Sequence, residues 1–275
     1  MRAGGRRGNM VAIAAALMLV LAPAVTACNR GAAEVDTTGN ESGGEGPRNA
    51  FSFLVCGDAH ARTDLLQKIV DQALPGEFLV ITGDISTGKG LDEMREMKRF
   101  LDGAGLEYHV IPGDNDMPRG DTLTFTEVFG PDHYHLDVQD ARLVFVNDAV
   151  AGVGCPDDQL TWLEEALAGM EGEKTVIGFA HVPPGAPLGI GRGGFQPRET
   201  ESAREMLDIL AAVGAPVLYC GHIHAYMLYS SGPPRVVVSG GAGANPHLSE
   251  ESGGFHHFLR VTVRGGEVSE EVIPL

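Results

Sequence analysis

Short apolar runs alternate with amphipathic segments along most of this 275-residue chain. Eight of the runs are rich in β-branched or aromatic residues and are apolar on both faces, as buried strands are. They predict strands at residues 51–56, 78–82, 108–111, 142–147, 175–180, 217–220, 235–239 and 255–263. The last third of the chain also shows polar alternation, which indicates antiparallel pairing there.

Amphipathic segments between the strands predict four helices. Apolar side chains fall on one face of each segment, at residues 65–73, 94–101, 160–167 and about 199–213. Pro156 opens the third segment, where the start of a helix tolerates proline. Strands that alternate with helices predict one α/β domain of roughly 225 residues, at positions 50–275.

The first 27 residues have the pattern of an export signal. Three arginines precede an apolar run at residues 10–22, which is shorter than the ~20 apolar residues that span a bilayer. The segment ends in a small-residue tripeptide followed by Cys28, and this ending resembles a bacterial lipobox, whose cysteine is lipidated and becomes the new N-terminus. An ordinary secretory signal with a cysteine nearby is the alternative.

The stretch after Cys28 has the composition of a flexible tether. Residues 29–49 are rich in Gly, Glu, Thr and Asn and contain no large apolar residue. Acyl chains contribute about 0.8 kcal/mol per buried methylene, so lipidation would hold the chain on a membrane. We therefore expect a lipoprotein signal peptide at 1–27, a lipidated tether at 28–49, and a domain anchored to a bacterial membrane on its extracytoplasmic side.

Charge and cysteine content narrow the class of protein further. The chain has 20 Lys and Arg against 37 Asp and Glu, a formal net charge of −17, so no nucleic acid polymer is expected as a partner. The same negative field opposes any anionic substrate unless local cations offset it. Cys56 and Cys220 lie within apolar runs and are expected to be buried free thiols, although export to an oxidising compartment would permit one disulfide. The sequence carries no indication of oligomeric state.

Acidic residues and histidines directly follow five of the predicted strands. The five segments are Gly57-Asp58-Ala59-His60, Gly83-Asp84, Gly113-Asp114-Asn115-Asp116, His181 and Gly221-His222-Ile223-His224. The carboxyl ends of strands are where open α/β sheets build their sites. Clustered carboxylates and imidazoles suit divalent metals such as Mn, Fe or Zn. A Gly-Asp pair alone is more often a turn, and a lone histidine more often a core residue, but five segments in order predict a metal site.

The order of these segments resembles the calcineurin-like metallophosphoesterase family, whose motifs run D-x-H, G-D, G-N-H-[D/E], H and G-H-x-H. Residues 159–163 are similar to the Q-x-x-W-L helix of that family, and residues 239–243 are similar to its small-residue turn. The resemblance extends from residue 51 to about residue 273. It implies a four-layer α/β/β/α sandwich, in which two packed mixed sheets are flanked by helices.

Carried over position by position, the resemblance implies a pair of metal ions. One ion would be held by Asp58, His60, Asp84 and His224, and the second by Asp114, His181 and His222, with Asp84 bridging the two. The family hydrolyses phosphate esters with a hydroxide that bridges the metals. The implied function is a dinuclear metal-dependent phosphohydrolase acting on a phosphomonoester or phosphodiester small molecule. Its two cations would offset the acidic surroundings.

One motif departs from the family pattern, at residues 113–116. Anchoring on Gly113 and Asp116 places Asp114 at the family's asparagine ligand and Asn115 at its histidine. That histidine helps to bind phosphate and to protonate the leaving group, and loss of a general acid typically costs about 10²–10⁴ in rate. Asn115 can donate a hydrogen bond to phosphate but cannot supply a proton. We therefore assign Asn115 and Asp116 to the catalytic motif and expect slow turnover of esters with poor leaving groups.

Further residues are candidates for proton donation or substrate binding. The candidate substitutes for the missing acid are His109, His133, His135 and His247, each of which can equally be an exposed or structural histidine. The glycine-rich loop 183–198 follows His181 and carries Arg192 and Arg198, whose guanidinium groups can clamp a phosphate. A plain solvated loop is the alternative there.

A second hypothesis for the whole chain is a lipoprotein that keeps the metal-binding fold but has lost catalysis and acts as a binding module. Asn115 favours this hypothesis. The presence of all seven ligand positions favours the enzyme.

Overall fold

Eleven strands and five α-helices make up the part of the chain that the computed structural model describes, residues 50–185, 201–229 and 232–275. The strands are β1 (Ala50–Cys56), β2 (Leu79–Thr82), β3 (Tyr108–Ile111), β4 (Tyr134–Val138), β5 (Ala141–Phe145), β6 (Thr175–Phe179), β7 (Val217–Cys220), β8 (Tyr226–Tyr229), β9 (Arg235–Ser239), β10 (His257–Arg264) and β11 (Glu267–Pro274). The helices are α1 (Thr63–Val70), α2 (Leu91–Gly103), α3 (Leu123–Phe129), α4 (Asp157–Leu167) and α5 (Glu201–Ala212). None of these helices is long and apolar enough to cross a membrane.

Two mixed sheets organise the strands. One sheet has five strands in the order β11-β10-β1-β2-β3, and the other has six in the order β4-β5-β6-β7-β9-β8. Strands β1, β2 and β3 run parallel, as do β5, β6, β7 and β9. The remaining strands join antiparallel, which confirms the antiparallel pairing expected in the last third of the chain. Because parallel strands share one direction, their carboxyl ends meet at one edge of each sheet.

Successive side chains of a strand point to opposite faces of its sheet, so one strand contributes to two apolar cores. In β1, Phe53 and Val55 lie in the core between the two sheets, whereas Leu54 and Cys56 pack against helices α1–α3. Helices α4 and α5 cover the outer face of the six-stranded sheet, where Leu163 of α4 is fully buried. The layers therefore run helix, sheet, sheet, helix, and the predicted four-layer α/β/β/α sandwich is confirmed.

Aromatic rings fill the centre of the core between the sheets. The fully buried ring of Phe179 lies 4.8 Å from Phe145, 5.5 Å from Tyr219 and 6.1 Å from Phe53, measured between centroids. Pairs at such separations contribute about 0.5–1.5 kcal/mol beyond the burial of their area. Three of these rings come from β1, β6 and β7, so the core fixes strands whose ends carry predicted site residues.

Four elements were not predicted from the sequence: β4, β8, β11 and α3. The three strands lie at sheet edges; in β4 and β11 exposed side chains alternate with half-buried ones and no continuous apolar run forms, whereas β8 is an apolar run of only four residues with no fully buried side chain. Helix α3 is only seven residues long, and Phe125 is its one buried residue. Edge strands and short helices bury too little to leave a strong apolar pattern.

The cysteines in the described part of the chain are unpaired. Cys56, Cys155 and Cys220 are all buried free thiols, as expected for the two that lie in strands. Burial raises the pKa of each of these thiols, so they behave as small apolar core residues.

Candidate metal centre

Seven acidic and histidine side chains converge beyond the carboxyl ends of β1, β2, β3, β6 and β7. They form two groups, Asp58, His60, Asp84 and His224 in the first and Asp114, His181 and His222 in the second. Within each group the possible ligand atoms lie within 4.8 Å of one another. The structure therefore brings together every side chain that the sequence predicted as a metal ligand.

Several of these residues have a backbone conformation that side chains rarely adopt. The φ angles are +60° at Asp58, +45° at His60, +50° at Asp84 and +65° at His222. Each such left-handed residue costs on the order of 1–3 kcal/mol, and such strain concentrates at functional sites. Four strained residues in three neighbouring turns indicate that the surrounding fold holds these side chains in place for a reason other than stability.

Asp58 presents an unsatisfied oxygen to the first group. Its Oδ2 accepts a hydrogen bond of 2.8 Å from the backbone N–H of His222. Its Oδ1 is buried without a hydrogen-bond partner, and Nε2 of His224 is 3.4 Å away. A buried carboxylate oxygen without a partner is costly unless a cation satisfies it. This orphaned oxygen fits a metal ion.

Asp84 lies between the two groups. Its Oδ2 is 3.3 Å from Nε2 of His60, and its Oδ1 is 3.5 Å from Nε2 of His181. Burial raises the pKa of this carboxyl, but the charge of His181 and the hydrogen bond from His60 outweigh burial and lower it overall. The neighbouring turn passes so close that a Cβ at Gly113 would collide with the Asp84 carboxylate and backbone, so only glycine fits there.

Two histidines are held so that Nε2 faces the site. Nδ1 of His181 donates to the carbonyl of Thr82 at 2.8 Å, and Nδ1 of His224 donates to the carbonyl of Asn245 at 2.8 Å. Because a carbonyl can only accept, each Nδ1 carries a proton, and Nε2 is the nitrogen that would bind a metal in place of any proton it holds. Such carbonyl contacts are the usual way in which proteins orient histidine ligands of metals.

Asp114 completes the second group. Its Oδ1 lies 3.1 Å from Nε2 of His181 and 2.9 Å from Nδ1 of His222. Burial acts to raise the pKa of this carboxyl, but hydrogen bonds to both histidines outweigh burial and hold the pKa far below its ordinary value. Asp114 is therefore a carboxylate, ready to act as an anionic ligand.

Asp116 lies beneath the site. It is fully buried, and its two oxygens accept four hydrogen bonds, from the backbone N–H groups of Ile85, Ser86 and Gly113 and from the Ser86 hydroxyl. Burial, followed by the nearby charge of Asp84, raises its pKa to about 6. Asp116 ties the turn after β2 to the turn after β3, and it supports the ligands without facing a substrate.

Asn115 directs both of its donors to Asp84. Its backbone N–H lies 2.9 Å from Oδ1, and its side-chain Nδ2 lies 2.6 Å from Oδ2. The residue is half-buried at the edge of the two groups. In this structure, the residue that the sequence predicted to contact substrate therefore orients the Asp84 carboxylate.

Only one of the four candidate substitute acids contacts the site. His109 packs against Phe78, and His133 and His135 pack against Trp162. His247 stacks on His224, with ring centroids 3.7 Å apart. Burial and the neighbouring His224 lower the pKa of His247 to about 4, so its imidazole is neutral at pH 7.

Sequence reasoning missed a further buried carboxylate, Asp148. Its Oδ1 accepts hydrogen bonds from the backbone N–H groups of His181 (2.8 Å) and Val182 (3.1 Å). Asp148 follows the strand predicted at 142–147, so the same pattern that marked the other acids was present there. Cys28, Arg192 and Arg198 lie outside the described residues.

A comparison with known protein families shows which family this chain belongs to. The model of the calcineurin-like phosphoesterases matches residues 51–226, which is more than half of the chain. The chain belongs to the calcineurin-like phosphoesterase family. Members of this family are metal-dependent phosphoesterases that use two metal ions, in agreement with the two groups of ligands.

The relatives of this chain include two proteins named as probable phosphodiesterases. It is 26% identical over 158 residues to a probable glycerophosphodiester phosphodiesterase of Arcobacter nitrofigilis, covering 54% of this chain and 56% of that protein. It is 30% identical over 112 residues to a probable cyclic nucleotide phosphodiesterase of Fibrobacter succinogenes, covering 39% and 42% of the two chains. The chain thus spans about half the length of the curated relatives it matches.

Solved structures share the fold of this phosphoesterase. A dimetal phosphatase from Danio rerio superposes with a TM-score of 0.62 at 13% sequence identity, covering 82% of this chain and 96% of the other. A purple acid phosphatase from yellow lupin gives a TM-score of 0.60 at 13% identity, over 82% and 52% of the two chains.

Proposed function

We propose that this phosphoesterase is a dinuclear metal-dependent hydrolase of small phosphate esters, with phosphodiesters as its favoured class, anchored outside the cytoplasm. The observation that carries the proposal is the position of Asp84, whose two oxygens each face one of two ligand groups. One carboxylate between two histidine-rich groups is the arrangement that a bridging ligand of a metal pair requires.

Each side chain has a role in this proposal. The first ion would be held by Asp84 together with Asp58, His60 and His224. The second would be held by Asp84 together with Asp114, His181 and His222. Imidazole and carboxylate donors suit Mn, Fe or Zn. When bound, two such ions supply Lewis-acid activation of water and stabilise charge on the phosphoryl group. Asp116 and Asp148 would hold the ligand-bearing turns in register.

The charge of the site supports a diester as substrate. Two divalent ions bring four positive charges, and the three ligand carboxylates and the hydroxide between the ions would together take away four, so the site would be neutral. A neutral site has no positive charge left to balance a phosphomonoester dianion, so the singly charged phosphodiester is the better match. The two curated relatives are both named as probable phosphodiesterases, which agrees with this choice.

Leaving-group chemistry sets the second part of the proposal. Asn115 has no proton to give, and His247 is a neutral imidazole at pH 7 because burial and the neighbouring His224 lower its pKa to about 4. The enzyme would therefore turn over esters with acidic leaving groups much faster than alkyl esters. Asn115 also favours one other candidate function, a metal-binding module without catalysis.

Membrane anchoring and the arginine clamp are further parts of the proposal. Cys28 follows the small-residue tripeptide of a lipobox and would carry the acyl chains. Arg192 and Arg198 would contribute positive charge near the second ligand group, because their loop follows His181 in sequence.

Hydrolysis by the purified full-length chain tests the proposal. Bis(p-nitrophenyl) phosphate and p-nitrophenyl phosphate are assayed with added Mn²⁺, then with EDTA, then with Mn²⁺ restored. We expect EDTA-sensitive hydrolysis that metal restores, with a higher kcat/KM for the diester. A chain that binds two ions but hydrolyses neither substrate with any of Mn, Fe or Zn would instead be a binding module.

A further inference from the structure

The loop between β9 and β10 is fastened to the turn that carries Asp58. The backbone N–H of Ala242 donates to the carbonyl of Gly57 at 3.0 Å, and that of Ala244 donates to the carbonyl of Asp58 at 2.9 Å. Gly243 lies between these two donors, and a Cβ there would collide with the carbonyl oxygen of Ala59. The close approach of two backbones therefore needs glycine and fixes the loop directly against the first ligand group.

The same loop contacts His224 through two of its residues. The carbonyl of Asn245 accepts from Nδ1 of His224 at 2.8 Å. His247 accepts the backbone N–H of His224 on its own Nδ1 at 3.2 Å, and its backbone N–H donates to the His224 carbonyl at 3.0 Å. The two imidazole rings are also stacked, at 3.7 Å between centroids and 22° between planes.

These contacts leave His224 little freedom. Its ring is fixed in direction by Asn245 and in plane by His247, while its backbone is held on both the N–H and the carbonyl side. The result is a single position for Nε2, 3.4 Å from the orphaned oxygen of Asp58. Pre-set geometry of this kind lowers the ordering cost when a cation binds.

We infer that residues 242–247 form an outer shell for one of the two metal ions, with His247 as the positioning residue of His224. The inference rests on the proposed metal-dependent function, and it concerns residues that no metal would touch. Partners behind metal-binding histidines typically change metal affinity by about 10–100-fold when they are removed.

Metal titration of the full-length chain tests the role of His247. Co²⁺ is titrated into metal-free protein while its visible absorption and the heat of binding are recorded. His247→Ala removes both the ring stack and the acceptor, His247→Phe keeps a ring, and His247→Asn keeps an acceptor near Nδ1. His135→Ala, an exposed histidine on β4, is the matched control.

We expect His247→Ala to weaken binding of one of the two ions about 10–100-fold while the other ion and the control stay at wild-type affinity. His247→Phe and His247→Asn should each keep part of the metal affinity that His247→Ala loses. Saturating metal should restore most of the activity that His247→Ala loses at low metal, because His247 acts through His224 and not on substrate.

Three results would count against this role. Wild-type affinity for both ions in His247→Ala would overturn the positioning role and leave the proposed function intact. Equally weakened binding of both ions, together with a lower Tm of the metal-free protein, would show that His247→Ala acts through folding in general and not through the orientation of His224. A wild-type chain that binds no metal would overturn the proposed function and this inference together.

Discussion

Replacing Asn115 by histidine should change how the enzyme discriminates between leaving groups. In the structure the side-chain amide donates to Asp84 at 2.6 Å, while the backbone N–H of the same residue donates at 2.9 Å. The substitution removes the first bond, keeps the second and adds an imidazole at the edge of both ligand groups. Only the added imidazole can carry a proton to a leaving group.

The two effects of Asn115→His differ in their substrate dependence. Loss of a hydrogen bond to a carboxylate costs about 1.5–3 kcal/mol and lowers the rate with every substrate alike. A general acid contributes about 10²–10⁴-fold, but only where the leaving group needs a proton. The ratio of kcat/KM for an alkyl diester to that for an aryl diester should therefore rise by about 10²–10⁴, or about 2.7–5.4 kcal/mol.

A matched pair of substrates measures this ratio. Hydrolysis of bis(p-nitrophenyl) phosphate releases a phenolate, which is measured by its absorbance. Hydrolysis of a dialkyl diester such as glycerophosphoethanolamine is measured by ³¹P NMR. Asn115→Ala serves as the control, because it loses the same hydrogen bond without gaining an acid and should lower both rates by one factor. If Asn115→His changes both substrates by the same factor, the assignment of a missing general acid is refuted.

Four further predictions cover the metals, the core and the membrane anchor. Asp84→Asn should reduce metal content from two ions per chain to fewer than one and abolish EDTA-sensitive hydrolysis, as measured by elemental analysis and assay, because both groups share this carboxylate. Asp114→Asn should weaken binding of one ion and raise kcat/KM for a monoester relative to a diester, because the site gains one positive charge; an unchanged ratio would contradict the charge argument. Phe179→Ala should lower the free energy of unfolding by about 3–5 kcal/mol in urea melts, because a fully buried ring leaves a cavity among three aromatic neighbours. Cys28→Ala should release the chain from the membrane fraction of a bacterial host and abolish its labelling by palmitate, whereas retention of both would argue against lipidation.

The alternation of strands and helices and the acids and histidines at strand ends could be predicted from strong local patterns, whereas the four-layer arrangement and the division of the ligands between two ions came from the resemblance to a known family. Buried strands such as β1, with its run of apolar residues, leave a signal that needs no knowledge of the partner strands. Acids at the ends of neighbouring parallel strands meet because those strands end at one edge, so Asp58 and Asp84 could be grouped from sequence alone, whereas His181, which follows a strand of the other sheet, was placed with them by the resemblance to the family. Edge strands such as β11 left no such signal, because half of their side chains face water.

The outer layer of the site depends on tertiary contacts that no local pattern encodes. The hydrogen bond of Asn115 to Asp84 joins residues 31 positions apart, and the stack of His247 on His224 depends on the path of an irregular loop. Asp148 did follow a predicted strand and could have been found by the same rule. For Asp116 the motif identified the residue, but only its complete burial indicates a supporting role.

The metal content of the purified chain, measured together with its diesterase activity, tests the central claim most directly. The full-length protein is stripped with EDTA, reloaded with Mn²⁺, Fe²⁺ or Zn²⁺, and assayed for bound metal and for hydrolysis of bis(p-nitrophenyl) phosphate. The two ligand groups predict two ions per chain and activity that rises only as the second ion binds. A single ion with full activity, or hydrolysis that survives complete removal of metal, would contradict the account.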